Sequence, residues 1–324
     1  MAGGHAEARA IQVALKLGIF EALAPAPLEA PAIAMRLGLD ARATSLLANA
    51  LTAMGLLHKR EGEYALTDSA RRYLLRDSNE YLGGMILFDG ALWGVWGRLE
   101  DTIRSGAPAR TPDMFQTRAE DTARFIRAMD SLVRARGDAE WVADHLNLSA
   151  IGAVADLGGG PGTYVAAMLR RNPHLRAAIW DLPATLAVAR EVLAQREPAV
   201  HDRIEMVTVD YLKDRLPSGA DAIFMSNIIH SEDEATNAVL MKKCFDALGP
   251  GGMLIVKDHI MNRELTAPAA GAVFALYLML TTRGRDFSFD EVCSWMRDAG
   301  FSGLEERVLP SPPFTSSMVI ARKE

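Results

Sequence analysis

Cysteine is almost missing from the 324 residues: Cys244 and Cys293 are the only two. Two thiols cannot build a disulfide framework or a cysteine-rich metal centre, and a cytosolic protein is expected. Long apolar runs are missing as well. The longest, Gly271 to Leu280, falls far short of the roughly 20 residues that cross a bilayer. The opening MAGGHAEARAIQ has no basic head followed by an apolar core, so no export signal is expected. Nor is there an excess of positive charge. Lys and Arg number 35 against 41 Asp and Glu, a net charge of −6, which argues against a basic surface for nucleic acid or acidic lipid. What the chain does hold is apolar material, 49% hydrophobic residues against 23% charged, enough for two compact domains with their own cores.

The densest signal lies in AVADLGGGPGTYVAAMLRRNPH. A short apolar strand ends at Asp156, and a turn containing Gly158, Gly159, Gly160 and Gly162 leads into an amphipathic helix from Thr163. Glycine permits backbone angles closed to other residues and lets a ligand approach the main chain without meeting a Cβ. The spacing separates two kinds of nucleoside site. In a G-x-G-x-x-G frame opened at Gly158 the third glycine would fall on Thr163, and in one opened at Gly160 it would fall on Val165. Neither frame closes, so a pyrophosphate cradle is disfavoured. About 20 residues on, the second strand RAAIWDL ends near Asp181, where a carboxylate can accept hydrogen bonds from both ribose hydroxyls. The third strand, IEMVTVD, ends in Asp210, placed either to reach an adenine amino group or to cap the next turn.

From Gly152 onward strands and helices alternate. The segments GAVADLG, RAAIWDL, IEMVTVD, ADAIFMSN and GMLIVKDHI predict parallel strands, separated by helices such as ATLAVAREVLAQ and EDEATNAVLMKKCFDAL. This order predicts an α/β fold with a Rossmann-like, doubly wound sheet. After a helix at SFDEVCSWMRDAG, the segments GLEERVL and SMVIARK predict a C-terminal antiparallel hairpin across a Pro-rich turn. Ligands of such sheets sit beyond the carboxyl ends of the strands, where Asp156, Gly158, Asp181, Asp210, Asn227 and Asp258 fall.

The first part of the chain is helix after helix. IQVALKLGIFEAL, APAIAMRLGL and DARATSLLANALTAMGLL read as three helices, the third opened by Asp40 as N-cap, and HKREGEYALT reads as a small hairpin. Three helices and a hairpin make a winged helix-turn-helix, so a DNA-binding regulator has to be weighed. The helix that would read DNA, from Ala41 to Leu57, carries one basic residue, Arg42, amid Leu and Ala. Phosphate and base contacts need Lys, Arg and polar reach, so dimerisation is favoured instead. Two longer helices are expected at YLGGMILFDGALWGVWGRLEDTIRSG and TRAEDTARFIRAMDSLVRARGDAEWVADHL. Met85, Phe88, Trp93, Trp96 and Phe115 form a set of large apolar groups suited to helix packing or to an aromatic ligand. A further apolar helix, APAAGAVFALYLML, carries Phe274 and Tyr277 after the fifth strand and can roof the crevice.

Together, DLGGGPGTYVAAMLRRNP, WDLP, HSEDEATNAVLMKKCFDALGPGGMLIV and the final hairpin resemble the class I S-adenosylmethionine-dependent O-methyltransferases that carry an N-terminal winged-helix dimerisation domain. That family includes plant phenolic, acetylserotonin and bacterial natural-product O-methyltransferases. The resemblance implies a dimerisation domain and following helix over 1–105, and a methyltransferase domain over 106–324 with a roof insertion near 264–282. It implies S-adenosylmethionine as donor and S-adenosylhomocysteine as product. The donor would be held by Asp156, Gly158, Gly160, Asp181, Leu182, Asp210, Tyr211 and Ser226, with Phe125 and Met129 of the preceding long helix close by. The implied substrate pocket takes Met85, Phe88, Trp93, Trp96, Phe115, Phe274 and Tyr277. The implied partners are a small aromatic substrate and a second copy of the chain, with no nucleic acid, membrane or metal.

The family's general base matches His230, in a segment that usually reads H-D-W-x-D-E and here reads HSEDEA. The flanking carboxylates match Asp258 and Asp286, each Asp where Glu is frequent. His259, next to Asp258, is a second candidate base. Methyl transfer from a sulfonium needs alignment and removal of one proton. A phenol near pKa 10 facing a histidine near 6.5 makes that transfer cost about 5 kcal/mol, and an aliphatic alcohol near 15.7 makes it cost more than about 12. Acidic hydroxyls are therefore favoured. Methylation of carbon or nitrogen, and a donor-binding regulator without turnover, stand as alternatives.

Overall fold

The computed structural model describes residues 3–310 and 316–324, which fold as two compact units. The first comprises residues 3–93 and 127–136, and the second residues 94–126, 137–310 and 316–324. The Pro-rich turn expected between the last two strands lies outside the described residues.

In the first unit, helices Gly4–Leu17, Ile19–Leu23, Ala30–Leu37 and Ala41–Ala53 precede a small antiparallel sheet. The single helix expected over IQVALKLGIFEAL is broken at Gly18, whose left-handed backbone (φ 81°) turns the chain. Asp40 caps the fourth helix as expected, its Oδ1 accepting from Ala43 N at 2.7 Å. The expected hairpin is β2 (Leu57–Arg60) with β3 (Glu63–Leu66). A short strand that the sequence did not signal, β1 (Leu28–Glu29), adds to β3 and gives the order β1-β3-β2. Phe20, Ile33, Leu51, Leu57 and Tyr64 make a dry core beneath this wing, and burial of each such side chain contributes about 1.5–3 kcal/mol.

The second unit is built on a seven-stranded sheet. Its strands are β4 (Ala153–Leu157), β5 (Arg176–Asp181), β6 (Ile204–Thr208), β7 (Ala222–Ser226), β8 (Met253–Asp258), β11 (Ser302–Val308) and β12 (Ser317–Arg322), in the order β11-β12-β8-β7-β4-β5-β6. β4 to β8 run parallel, while β12 is antiparallel to β8 and β11 to β12. Strands with helices on both faces must be apolar throughout, and Ala222–Met225 and Met253–Val256 are accordingly buried. A minor parallel pair, β9 (Ile260–Met261) and β10 (Phe287–Ser288), lies beyond the end of β8. The order of the sheet reverses between β4 and β7, so a crevice opens where their carboxyl ends diverge.

Both long helices expected around residues 81–146 are interrupted. The first is divided into Gly83–Ala91, Trp93–Trp96 and Leu99–Ser105, because Leu92 leaves helical geometry (φ −86°, ψ 3°) in a stretch rich in glycine. The second breaks at Gly137 (φ 72°) into Ala119–Arg136 and Asp138–His145. Apolar periodicity runs straight through such points, and at Gly137 it is the backbone preference of glycine that ends the helix.

Candidate active site

The glycine turn after β4 is built for packing as much as for a ligand. A Cβ at Gly158 would stand 2.3 Å from Ile228 Cδ1, and one at Gly162 would stand 2.7 Å from Ile179 Cδ1. Gly159 is pressed against the carboxyl group of Asp156, with 2.7 Å from its ideal Cβ position to Cγ. Gly160 alone of the four has open space, its nearest neighbour being Ile126 Cδ1 at 4.0 Å, and its φ of 55° turns the backbone in the left-handed sense. The Asp156 carboxylate is buried, and neither oxygen has a hydrogen-bond partner among the described residues. Burial first, and then the nearby Asp181 charge, hold its pKa well above the ordinary carboxylate range. An open backbone beside an orphaned buried carboxylate fits a polar ligand with donor groups.

Asp181 ties this turn to the end of β5. Its Oδ2 accepts from Gly160 N at 2.9 Å and its Oδ1 from Leu182 N at 2.7 Å. Burial raises its pKa against those bonds. Asp210 caps the turn after β6: Oδ1 accepts from Leu212 N at 3.1 Å, and Oδ2 pairs with Lys213 Nζ at 2.6 Å. The bond from Leu212 N is the capping role, one of the two the sequence allowed it. Tyr211 reaches across to Glu232, donating from its hydroxyl to Oε1 at 2.8 Å. Ser226, the last residue of β7, accepts from Asn227 Nδ2 at 3.0 Å. Phe125 stacks on Phe115 with 4.9 Å between ring centroids. Gln116 donates to Thr185 Oγ1 at 3.2 Å, which ties the loop carrying Phe115 to helix Pro183–Arg196 after β5.

A buried cluster of titratable side chains lies just past β7. Asn227 adopts φ 56°, which a short amide side chain tolerates, and swings the chain into the turn Ile229–Ser231. Asn237 fixes that turn by donating to the Ile229 carbonyl at 2.9 Å. His230 is thereby buried with its Nδ1 2.6 Å from Asp258 Oδ1. Asp286 stands on the same group, and one donor atom from each of the three residues lies within 4.8 Å of the others. That spacing would also suit a metal ion. Burial, the largest influence on His230, pushes its pKa down, yet the charge and hydrogen bond of Asp258 and the charge of Asp286 outweigh it and the net shift is upward. Burial works against Asp258 too, but His230 and His259 hold it below the usual range. Asp286 is raised by burial to about 7, with His230 opposing and Asp258 reinforcing the rise. A carboxylate on Nδ1 fixes the tautomer in which Nδ1 carries the proton and Nε2 is free to accept one.

An aromatic ladder leads away from the histidine. Phe274 meets His230 edge to face at 5.3 Å and stacks on His259 at 4.8 Å; Tyr277 stacks on Phe274 at 5.3 Å, and Trp96 lies 6.5 Å from Tyr277. The second unit thus brings together His230, Asp258, Asp286, Phe274, Tyr277 and Trp96. Met85, Phe88, Trp93 and Met129 belong to the first unit, where Phe88 is buried and Arg9 lies 5.2 Å over the ring of Trp93. The acids of HSEDEA divide between roles. Asp233 is the N-cap of helix Glu234–Ala247, accepting from Thr236 N at 2.8 Å, and Glu234 sits in its first turn, whereas Glu232 is the acceptor for Tyr211.

Sequence reading missed a buried ion pair. Lys257, almost fully enclosed, donates to Asp138 Oδ2 at 3.2 Å, and the hydroxyl of Tyr164 donates to the same oxygen at 3.3 Å. Successive strand residues face opposite sides, so Lys257 anchors β8 to the start of helix Asp138–His145, over the ring of Tyr164 in helix Thr163–Arg171, on one face while Asp258 holds His230 on the other. A lysine inside the apolar run MLIVKD was its signal.

Comparison with known proteins agrees with this geometry. Residues 96–302 match the model of the O-methyltransferase domain, and residues 1–76 match that of the O-methyltransferase dimerisation domain. The chain is 31% identical to 3-hydroxy-5-methyl-1-naphthoate 3-O-methyltransferase of Streptomyces sahachiroi, covering 96% of this chain and 91% of that protein. It is also 31% identical to the tetracenomycin polyketide synthesis 8-O-methyl transferase of Streptomyces glaucescens, over 97% and 93% of the two chains. Among solved structures, PigF with SAH superposes with a TM-score of 0.88 at 28% identity, covering 99% of this chain and 97% of that one. Human N-acetylserotonin methyltransferase in complex with SAM shares the fold, with a TM-score of 0.89 at 22% identity and 99% and 95% coverage.

Proposed function

Because the chain belongs to the O-methyltransferase family, we propose that it methylates an acidic hydroxyl, phenolic or enolic, on a flat aromatic small molecule, with His230 as general base. When bound, S-adenosylmethionine supplies a methyl group already activated on a sulfonium. Asp156, Gly160 and Asp181 would hold it, with Leu182, Asp210, Tyr211, Ser226 and Phe125 around them; the open backbone at Gly160 and the unpartnered Asp156 carboxylate support this.

The pairing of His230 Nδ1 with Asp258 at 2.6 Å carries the reading. It leaves Nε2 to take the hydroxyl proton, and Asp258 and Asp286 flank the imidazolium that results. A raised histidine pKa narrows the gap to a phenol near 10, which is about 5 kcal/mol for an unperturbed imidazole. The same base remains far too weak for an aliphatic alcohol. Phe274, Tyr277 and Trp96 offer faces to a planar ring system, and the relatives named for a hydroxynaphthoate and a tetracenomycin polyketide support fused rings. In this reading residues 106–324 perform the chemistry with Trp96 as part of the ring-binding wall, and the remainder of residues 1–105 pairs two copies into a homodimer. The dimerisation-domain match and the exposed apolar side chains of Met35 (83%) and Leu46 (60%) support that pairing.

Incubation with methyl-labelled S-adenosylmethionine and a panel of hydroxynaphthalenes, hydroxynaphthoates and their amino analogues tests the proposal. Label on oxygen of a hydroxylated ring, lost with His230→Ala, is the expected result. Label on carbon or nitrogen, or donor binding without transfer to any panel member, would overturn it.

A further inference from the structure

Two glycines near the base have no part in the chemistry so far. Gly284 lies in the connection from helix Ala269–Thr281 to β10, two residues before Asp286. A Cβ there would stand 2.2 Å from the carbonyl oxygen of His230 and 2.7 Å from both the nitrogen and the carbonyl oxygen of Glu232. All three neighbours are backbone atoms, so no change of rotamer can make room, and a close-packed interior transmits the displacement. Gly271, on the helix, faces the same carboxylate from another side: its Cβ would stand 3.3 Å from Asp286 Oδ2 and 2.5 Å from Met261 Sδ.

Independent contacts fasten the same segments together. Gly284 N donates to Thr282 Oγ1 at 3.1 Å. The Arg285 guanidinium bridges Glu234, at the start of the helix after the His230 turn, and Glu291, each at 2.6 Å. The pairing of β9 with β10 sets Phe287 opposite Ile260, which brings Asp286 level with the residues just after Asp258. Among the described residues, Asp286 finds no hydrogen-bond partner for either buried carboxylate oxygen. Its place is therefore set by the walls around it.

We propose that Gly284, backed by Gly271, is a positioning residue for the methyl transfer: bare backbone docking at Gly284 sets the separation of Asp286 from His230 and so the alignment of the imidazole that takes the substrate proton. The inference rests on the reading of His230 as the base. A side chain at 284 must lift the 282–286 connection off the turn or push the turn toward the substrate, and either movement opens the cluster.

The test compares full-length Gly284→Ala, Gly271→Ala, Asp286→Asn, Gly284→Ala/Asp286→Asn and His230→Ala. Turnover is measured against pH, and S-adenosylhomocysteine binding by calorimetry. Gly284→Ala should lower kcat roughly 10- to 100-fold, the scale of a misplacement of about 1 Å, with donor-product affinity kept within about threefold. Its pH profile should move to that of Asp286→Asn, since Asp258, Asp286 and Lys257 are the charges that bear on His230. The double variant should be no slower than the slower single, because both changes act through one carboxylate. Gly271→Ala, which meets a flexible Met261 side chain, should show a smaller loss with the same change of profile, and it carries the test if Gly284→Ala does not fold. Retention of the wild-type pH profile in the glycine variants, or losses that multiply in the double variant, would overturn the inference while leaving the base intact. Full turnover in His230→Ala would overturn the base, and the inference with it.

Discussion

Asp258→Asn keeps the shape of the residue on His230 and removes its charge, which makes it a sharp probe of the site. The pair is 2.6 Å apart and buried on both sides, so solvent screens it little. Two unit charges about 4 Å apart at an effective dielectric of about 20 interact by about 4 kcal/mol, or roughly 3 pKa units. Without the carboxylate the imidazole loses that support, while burial continues to push its pKa down. Proton transfer from a phenol then becomes harder by a similar amount, and kcat should fall by about 10²–10³, within the range general-base catalysis commands. The direction with pH is fixed as well. The base works only when neutral, so wild-type kcat should rise through a pKa above the ordinary histidine value of 6.5. In the variant that limb should move below it. Methyl transfer from labelled donor across pH 5–9, with S-adenosylhomocysteine affinity measured alongside, reads both effects. An unchanged kcat, or an acid limb that moves upward, would refute the reasoning.

Asp181→Ala removes the acceptor for Gly160 N and Leu182 N; calorimetry should show S-adenosylhomocysteine binding weakened by roughly 1.5–3 kcal/mol, with kcat at saturating donor little changed. Lys257→Met strands Asp138 in a buried site and should cost about 3–5 kcal/mol in denaturant unfolding, whereas Lys257→Met/Asp138→Leu should recover most of it; a single variant as stable as the wild type would contradict the clamp. Light scattering at micromolar concentration should give about twice the 35.2 kDa of one chain, and a monomer would contradict pairing through the first unit.

The sheet was legible because its evidence is local and repeated. Each strand from Ala153 to Asp258 is a short apolar run bounded by turn residues, and a parallel order follows from the alternation with helices. The candidate site was legible where strand ends carry carboxylates, as at Asp156, Asp181 and Asp258. The bearing of Asp286 on His230 came through only by resemblance, since the two stand 56 positions apart in the chain. Helix breaks at Gly18 and Gly137 were lost because the apolar pattern continues across them. The packing roles of Gly158 and Gly162 were also hidden: a glycine's spacing does not reveal whether Ile228 or a ligand fills the space beside it. Lys257 with Asp138 joins positions 119 residues apart, a pairing that three-dimensional packing decides.

Single-turnover methyl transfer tests the central claim most directly, with wild-type protein and His230→Ala each loaded with labelled S-adenosylmethionine to equal occupancy and then mixed with an accepted hydroxylated aromatic. The account predicts equal donor occupancy and a rate at least about tenfold lower without the imidazole. Equal rates at equal occupancy would contradict it.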